Sequence, residues 1–166
     1  MDNVLDKITY GHFIVTALKP GEEMKSQRHD YIAAGTVNWV SQVAFKPATL
    51  MVAVGKSTDL NETIEYSGHF SVHLLGEMQS ELIEPFAHKS EITGETINGI
   101  PYQIADDELI IKDAVGVIVC KVLQSVDTGD HVAYFGSVVY EKELLHGSMI
   151  TTQNTGIRYT QDKADN

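Results

Sequence analysis

Short runs in which apolar and polar residues alternate fill most of this chain, and a period of two predicts β-strands. Phe13-Ile14-Val15-Thr16-Ala17-Leu18 is one such run, closed by the turn set Lys19-Pro20-Gly21-Glu22. Tyr31-Ile32-Ala33-Ala34 is a second, broken at Gly35. Val37 to Phe45 is a third, ended by Lys46-Pro47. Thr49 to Val54 is apolar enough to be buried on both faces. Further strands are predicted at His69 to Leu75, Leu109 to Lys112, Val115 to Val126 and His131 to Tyr140, the last two joined by the turn Asp127-Thr128-Gly129-Asp130.

Two stretches read as helix. Asp59 is a good N-cap, Glu62 can complete a capping box, Leu60, Ile64 and Tyr66 give an apolar side, and Gly68 fits a C-terminal stop. A second helix is predicted from Glu77 to Phe86, with Leu82, Ile83 and Phe86 inward and Pro85 ending or kinking it. Ser90 to Pro101 reads as a loop. From Gly147 the chain is polar and aperiodic, and 162–166 is expected to be disordered. Many antiparallel strands with two short helices point to a β-barrel or sandwich. Residues 1–146 are expected to form one domain and 147–166 a C-terminal extension.

Composition narrows the function. The chain has 166 residues and a net charge of −11, an acidic balance that repels nucleic acid and anionic lipid. Neither a nucleic-acid nor a membrane partner is expected. The single cysteine, Cys120, allows no internal disulfide, and without a C-x-x-C the chain has no iron–sulfur or zinc-ribbon signature. Met1 to Lys7 lacks the basic-then-apolar pattern of a signal peptide, and no apolar run is long enough to span a bilayer, so a cytoplasmic location is expected.

Candidate chemistry centres on Gly35 to Thr58. Gly55-Lys56-Ser57-Thr58 ends like a P-loop, but Leu50 stands where the loop needs its first glycine, and 50–54 is strand. A nucleotide triphosphate site is therefore not expected. Lys56, Ser57 and Thr58 still precede a helix start, where free N–H groups favour an anion. A solvated lysine beside an ordinary cap is the other reading. On a continuous strand, Thr36, Asn38, Val40 and Gln42 share one face, and Val37, Trp39 and Ser41 the other. Such groups suit either the polar edge of a heterocycle or water. His69 and His73 lack a third ligand at matching spacing, so no metal site is expected. Cys120 reads as a buried structural thiol and Asp106-Asp107-Glu108 as a solvated turn.

Taken in order, several motifs resemble the flavin reductase-like, FMN-binding split-barrel family. They are Gly35-Thr36-Val37-Asn38-Trp39-Val40-Ser41-Gln42-Val43, Lys56-Ser57-Thr58, Tyr66 to Leu75, Phe86-Ala87-His88-Lys89-Ser90, and Asp127 to Gly136 with its Gly-Asp-His run. The resemblance covers about Phe13 to Tyr140. It implies a mainly β fold: a homodimer of six-stranded antiparallel Greek-key split β-barrels with a few short helices, and FMN, or FAD, near the dimer interface.

By similarity, Thr36, Val37, Asn38, Trp39, Val40, Ser41 and Gln42 would line the ring and ribityl. Lys56, Ser57 and Thr58, with Lys89 and Ser90, would hold the phosphate; Phe86 would border the ring. His131 would be catalytic, on the nicotinamide side, though a histidine capping a turn is the alternative. The implied activity is hydride transfer from NADH or NADPH to flavin and onward to an acceptor. Asn38-Trp39 replaces the small residues common among the reductases and is closer to flavoredoxin-like carriers. A carrier serving an electron-transfer protein, or a flavin-binding module that nicotinamide does not reduce, is the alternative.

Overall fold

A computed structural model describes residues 3–19 and 32–157. The turn expected after Lys19, the strand start at Tyr31 and the tail from Asp162 fall outside them. The chain forms β1 Phe13–Leu18, β2 Ile32–Val37, β3 Val40–Phe45, β4 Ala48–Gly55, helix α1 Asp59–Ser67 and β5 His69–Leu74. The small strands β6 Ile92–Thr93, β7 Thr96–Ile97, β8 Ile100–Ala105 and β9 Glu108–Ile111 follow. The long strands β10 Gly116–Asp127 and β11 His131–Glu143 come next, then the short helix α2 Thr152–Thr155.

The main antiparallel sheet has seven strands in the order β2-β1-β5-β10-β11-β4-β3, where the resemblance implied a six-stranded barrel. β2 and β3 are consecutive in the chain yet stand at opposite edges, joined only by Asn38 and Trp39. Two residues reach less than about 11 Å. The sheet must therefore curl until its edges nearly meet, which makes a split barrel rather than a flat sheet. Val37 to Phe45 is accordingly not one strand: it breaks at Asn38-Trp39, and the break is the crossover. Gly35 does not break β2. It lies mid-strand because a Cβ there would come within 3.1 Å of Leu60 Cδ2.

β1 is almost wholly buried because both of its faces are covered. Val15 and Ala17 join the barrel interior with Val52, Phe70, Val72 and Tyr134, and α1 adds Leu60 and Ile64 to that core. Ile14 and Leu18 face a second core with Leu82, Ile83, Phe86, Ile97 and Leu109. The small sheet β6-β7-β8-β9 covers this side, and buried Thr16 donates to Leu109 O at 2.7 Å to tie it to β1.

Several local expectations change. Thr58, not Asp59, is the N-cap of α1: its hydroxyl accepts from Asn61 N, while Gly68 closes the helix in the left-handed conformation as expected. The helix expected over Glu77 to Phe86 is two 3-10 turns, Ser80–Leu82 and Pro85–Ala87. Pro85 lacks the N–H a continuous helix needs, and starts the second turn instead. Leu82, Ile83 and Phe86 still point inward. Ser90 to Pro101 is not a loop. Asn98 and Gly99 both have positive φ and form the two-residue turn between β7 and β8.

The chain beyond Gly147 is not a loose extension over 148–157. Ile150 is buried in the second core. Ile150 N donates to Leu75 O, Thr152 N donates to Tyr10 O, and isolated bridges join Gly76 to Met149 and Gly11 to Thr151. α2 is held by a capping box between Thr151 and Asn154. No helix among the described residues is long and apolar enough to cross a membrane.

His73 is fully buried and structural. Its Nδ1 donates to Ile14 O at 3.0 Å, and its Nε2 accepts from Ile111 N at 3.1 Å. A second ring proton would face the Ile111 N–H, and burial lowers its pKa to about 4. Between pH 4 and the ordinary value of 6.5, the unfolded chain binds the proton that the folded chain refuses. His73 therefore contributes stability at neutral pH that is lost as pH falls through this window, on the order of 3 kcal/mol at most. Urea midpoints should fall between pH 6.5 and 4, and less steeply in His73→Gln; parallel slopes would remove His73 as a cause.

Candidate functional site

The barrel is split where β2, bonded only to β1, faces β4 across a gap. A cavity with an empty volume of about 820 Å³, open mouth included, occupies that gap. One wall is the open edge of β2, Ala34 to Val37; the opposite wall is Ala53, Val54 and Gly55 of β4. Thr58, Asp59 and Leu60 at the start of α1 close one end. Ile83, Glu84, Phe86 and His88 from the 3-10 turns form a third side. The crossover residues Asn38 and Trp39 complete it, with His12 and Ile157 from opposite ends of the chain.

The polar equipment of this cavity follows from strand geometry. Ala34 bonds away from β1: its N–H donates to Ser90 Oγ at 3.0 Å, and its carbonyl accepts from the same hydroxyl at 3.2 Å. Backbone directions alternate along a strand, so Thr36, two residues on, also presents its N–H and C=O away from β1. This places a donor and an acceptor side by side on the open edge. Thr36 Oγ1 is spent on Ile83 O at 2.7 Å, which fastens the 3-10 turn against β2. Asn38 donates through Nδ2 to Gly11 O at 2.7 Å and to His12 Nδ1 at 2.9 Å.

The N-terminus of α1 is largely self-capped. Thr58 Oγ1 accepts from Asn61 N at 3.1 Å, and Asp59 accepts from Leu60 N and Ser90 N, each at 2.9 Å. With Asp59 and Glu84 in its lining and neither lysine nor arginine among the described lining residues, this part of the cavity suits an uncharged heterocycle better than a phosphate. Cationic groups stand outside: Lys56 and Lys89 are exposed, and His88, on the lining, pairs with Glu84 at 3.1 Å. Lys56 forms an ion pair with Asp127, whose carboxyl that contact holds below the usual range.

Comparison with known proteins now bears on this geometry. The family model of the flavin reductase like domain matches residues 5–148. The chain belongs to the flavin reductase like family. That membership makes it an oxidoreductase. A relative named ferric-chelate reductase (NAD(P)H), from Archaeoglobus fulgidus, is 30% identical over 87% of this chain and 82% of its own length. The high molecular weight rubredoxin of Moorella thermoacetica is 28% identical over 89% of this chain, which spans only 62% of that protein. Among solved structures, the NADH:FAD oxidoreductase of Streptomyces globisporus, in complex with NAD and FAD fragments, has the same fold. It superposes with a TM-score of 0.74 at 16% identity, covering 96% of this chain and 90% of that one.

Within this flavin reductase like chain, the structure gathers some of the residues singled out from sequence and disperses others. Thr36, Val37, Asn38, Trp39, Thr58 and Phe86 line the cavity. Val40, Ser41 and Gln42 lie on β3, beyond the crossover. Ser41 and Gln42 are exposed and bond to neighbouring backbone carbonyls. Ser57 is exposed, as are Lys56 and Lys89, while Ser90 works as a staple between Ala34 and Asp59. His131 is buried behind Trp39, its ring centroid 4.7 Å from the indole and its Nδ1 2.7 Å from Asp130 Oδ1.

Trp39 is held from several sides. Tyr10 meets it edge-on at 6.4 Å, His131 packs on it, and its carbonyl accepts from Ala53 N at 3.0 Å. His12, Glu84 and Ile157 were not singled out as site residues from the sequence, and His88 entered only as part of the Phe86 to Ser90 motif. His12 stands one residue before β1 with no partner motif, and Ile157 reaches the cavity only because the C-terminal segment docks.

Proposed function

We propose that this chain is an NAD(P)H:flavin oxidoreductase that carries FMN in the split of its barrel. The cavity's polarity supports the reading most directly. A space walled largely by apolar side chains is edged by the paired donor and acceptor of Thr36 and by the Asn38 amide. These match the polar edge of an isoalloxazine, while Ala53, Val54, Leu60, Ile83 and Phe86 match its apolar body. In this assignment Thr36, Val37, Asn38, Trp39 and Phe86 hold the ring.

The ribityl chain runs past Thr58 to the mouth. The phosphate stays at the rim, within reach of Lys56, Ser57, Lys89 and His88, where it avoids the Asp59 carboxylate. FMN fits that placement with one phosphate outside, and the larger FAD would extend into solvent. Ser90 orders the floor without touching the ligand. The bound flavin supplies the hydride and electron chemistry. The protein excludes water with its apolar walls, orients the ring through the β2 edge, and places Trp39 against it. His131 acts on that indole as a positioning residue. The β3 edge, with exposed Val43 and Phe45, suits burial against a second copy in a homodimer. A cytoplasmic location accompanies this reading.

Anaerobic titration of the FMN-loaded chain tests the activity. NADH or NADPH should bleach the flavin band. A bound flavin that neither nucleotide reduces, but that a reduced rubredoxin does, would replace this reading with an electron carrier. Trp39 favours that second reading, because its indole limits the space for a nicotinamide over the ring.

A further inference from the structure

We infer that His12 and Thr155 fix Asn38 as a hydrogen-bond acceptor toward the cavity, so that the site selects a heterocycle presenting an N–H there. This rests on the flavin reading, in which the ring's imide N–H is that donor. The argument is one of donor and acceptor bookkeeping along a buried chain of side chains. Asn38 Nδ2 donates to Gly11 O at 2.7 Å and meets His12 Nδ1 at 2.9 Å, so Nδ1 accepts and the ring proton lies on Nε2. That Nε2 is 2.9 Å from Thr155 Oγ1, which accepts from Ile157 N at 3.0 Å and donates to Thr151 O at 3.4 Å. His12, 1% exposed, is then the neutral Nε2–H tautomer, and its Nδ1 is an acceptor. Burial lowers its pKa, which keeps it neutral.

Asn38 is 8% exposed and must turn its amide nitrogen toward that Nδ1 at 2.9 Å. Gly11 O, at 2.7 Å from the same nitrogen, demands the same orientation, since the opposite one would set two oxygens together. Both Nδ2 hydrogens are thereby used, and Oδ1 is the polar atom Asn38 has left for a ligand. The C-terminal segment thus reaches the cavity in two ways: through Ile157 in its wall, and through Thr155 in the polarity of the crossover. His12 and Thr155 are positioning residues, since they act through Asn38.

The test compares riboflavin with N3-methylriboflavin, which lacks the donor, by fluorescence titration of the full chain. Wild type should bind the methylated ligand about tenfold or more weakly, because a buried acceptor is left without a partner. In His12→Leu, and independently in Thr155→Val, that ratio should fall below the wild-type value, because Gly11 O alone then holds the Asn38 amide; Thr155→Ser, which keeps the hydroxyl, should restore it. A purely steric penalty from the methyl group would leave the ratio unchanged in all variants and overturn the inference, as would a wild-type ratio of one. Nitrogen-15 NMR of His12 without ligand gives a separate reading. An unprotonated Nδ1 is expected, and a protonated Nδ1 overturns the inference whatever the ligand does. If riboflavin fails to bind at all while Nδ1 is unprotonated, the flavin assignment fails and the acceptor polarity of Asn38 stands.

Discussion

Phe86→Ala should lower stability by about 3–5 kcal/mol and abolish measurable flavin binding at micromolar concentrations. Phe86 is 2% exposed and belongs to the second core with Leu82, Ile83 and Ile97, yet it also forms part of the cavity wall. Its carbonyl lies opposite Gly35, so the 3-10 turn that carries it sets the width of the split. Truncation removes the ring from both places at once. Phe86→Leu keeps most of the volume and should retain binding with a smaller loss of stability. Denaturant unfolding and FMN titration on both variants check this. A Phe86→Ala protein that binds FMN like wild type would place the ligand elsewhere.

Ile150→Ala should cost about 2–5 kcal/mol, although Ile150 lies in a stretch with no hydrophobic period. It is 1% exposed, with its N–H bonded to Leu75 O and its carbonyl accepting from His12 N. Loosening this point frees the segment that carries Thr155 and Ile157, so flavin affinity should fall together with stability. Thermal melts with and without FMN measure both. A substitution that changes neither would show that the docking of 148–157 supports neither the fold nor the site.

The barrel was legible because its strands are long and bounded by turn residues: β1, β4, β5, β10 and β11 stand close to where the alternation puts them. What could not be read was where the chain changes direction without a turn residue. Asn38 and Trp39 look like mid-strand positions, and only the sheet order shows that they cross from one edge to the other. The Asn98-Gly99 pair was a readable hairpin signal inside a stretch too polar to suggest strands.

For the site, Thr36, Val37, Asn38, Trp39, Thr58 and Phe86 were found from the ordered motifs and do share one cavity. His12 and Ile157 were out of reach. Their place depends on contacts across 143 residues, of the kind that joins His12 to Thr155, and no local pattern encodes such a distance. For the anion reading of Lys56, the structure shows a lysine paired with Asp127, and Thr58 and Asp59 spend helix N–H groups on capping.

The central claim is that flavin occupies the split beside the crossover, and the chain's single tryptophan, Trp39, sits on that wall. Time-resolved fluorescence of Trp39 during stoichiometric FMN addition measures this directly. Contact with the ring should quench the indole almost completely and collapse its lifetime in step with FMN binding. Stoichiometric binding with an unchanged Trp39 lifetime would contradict the account.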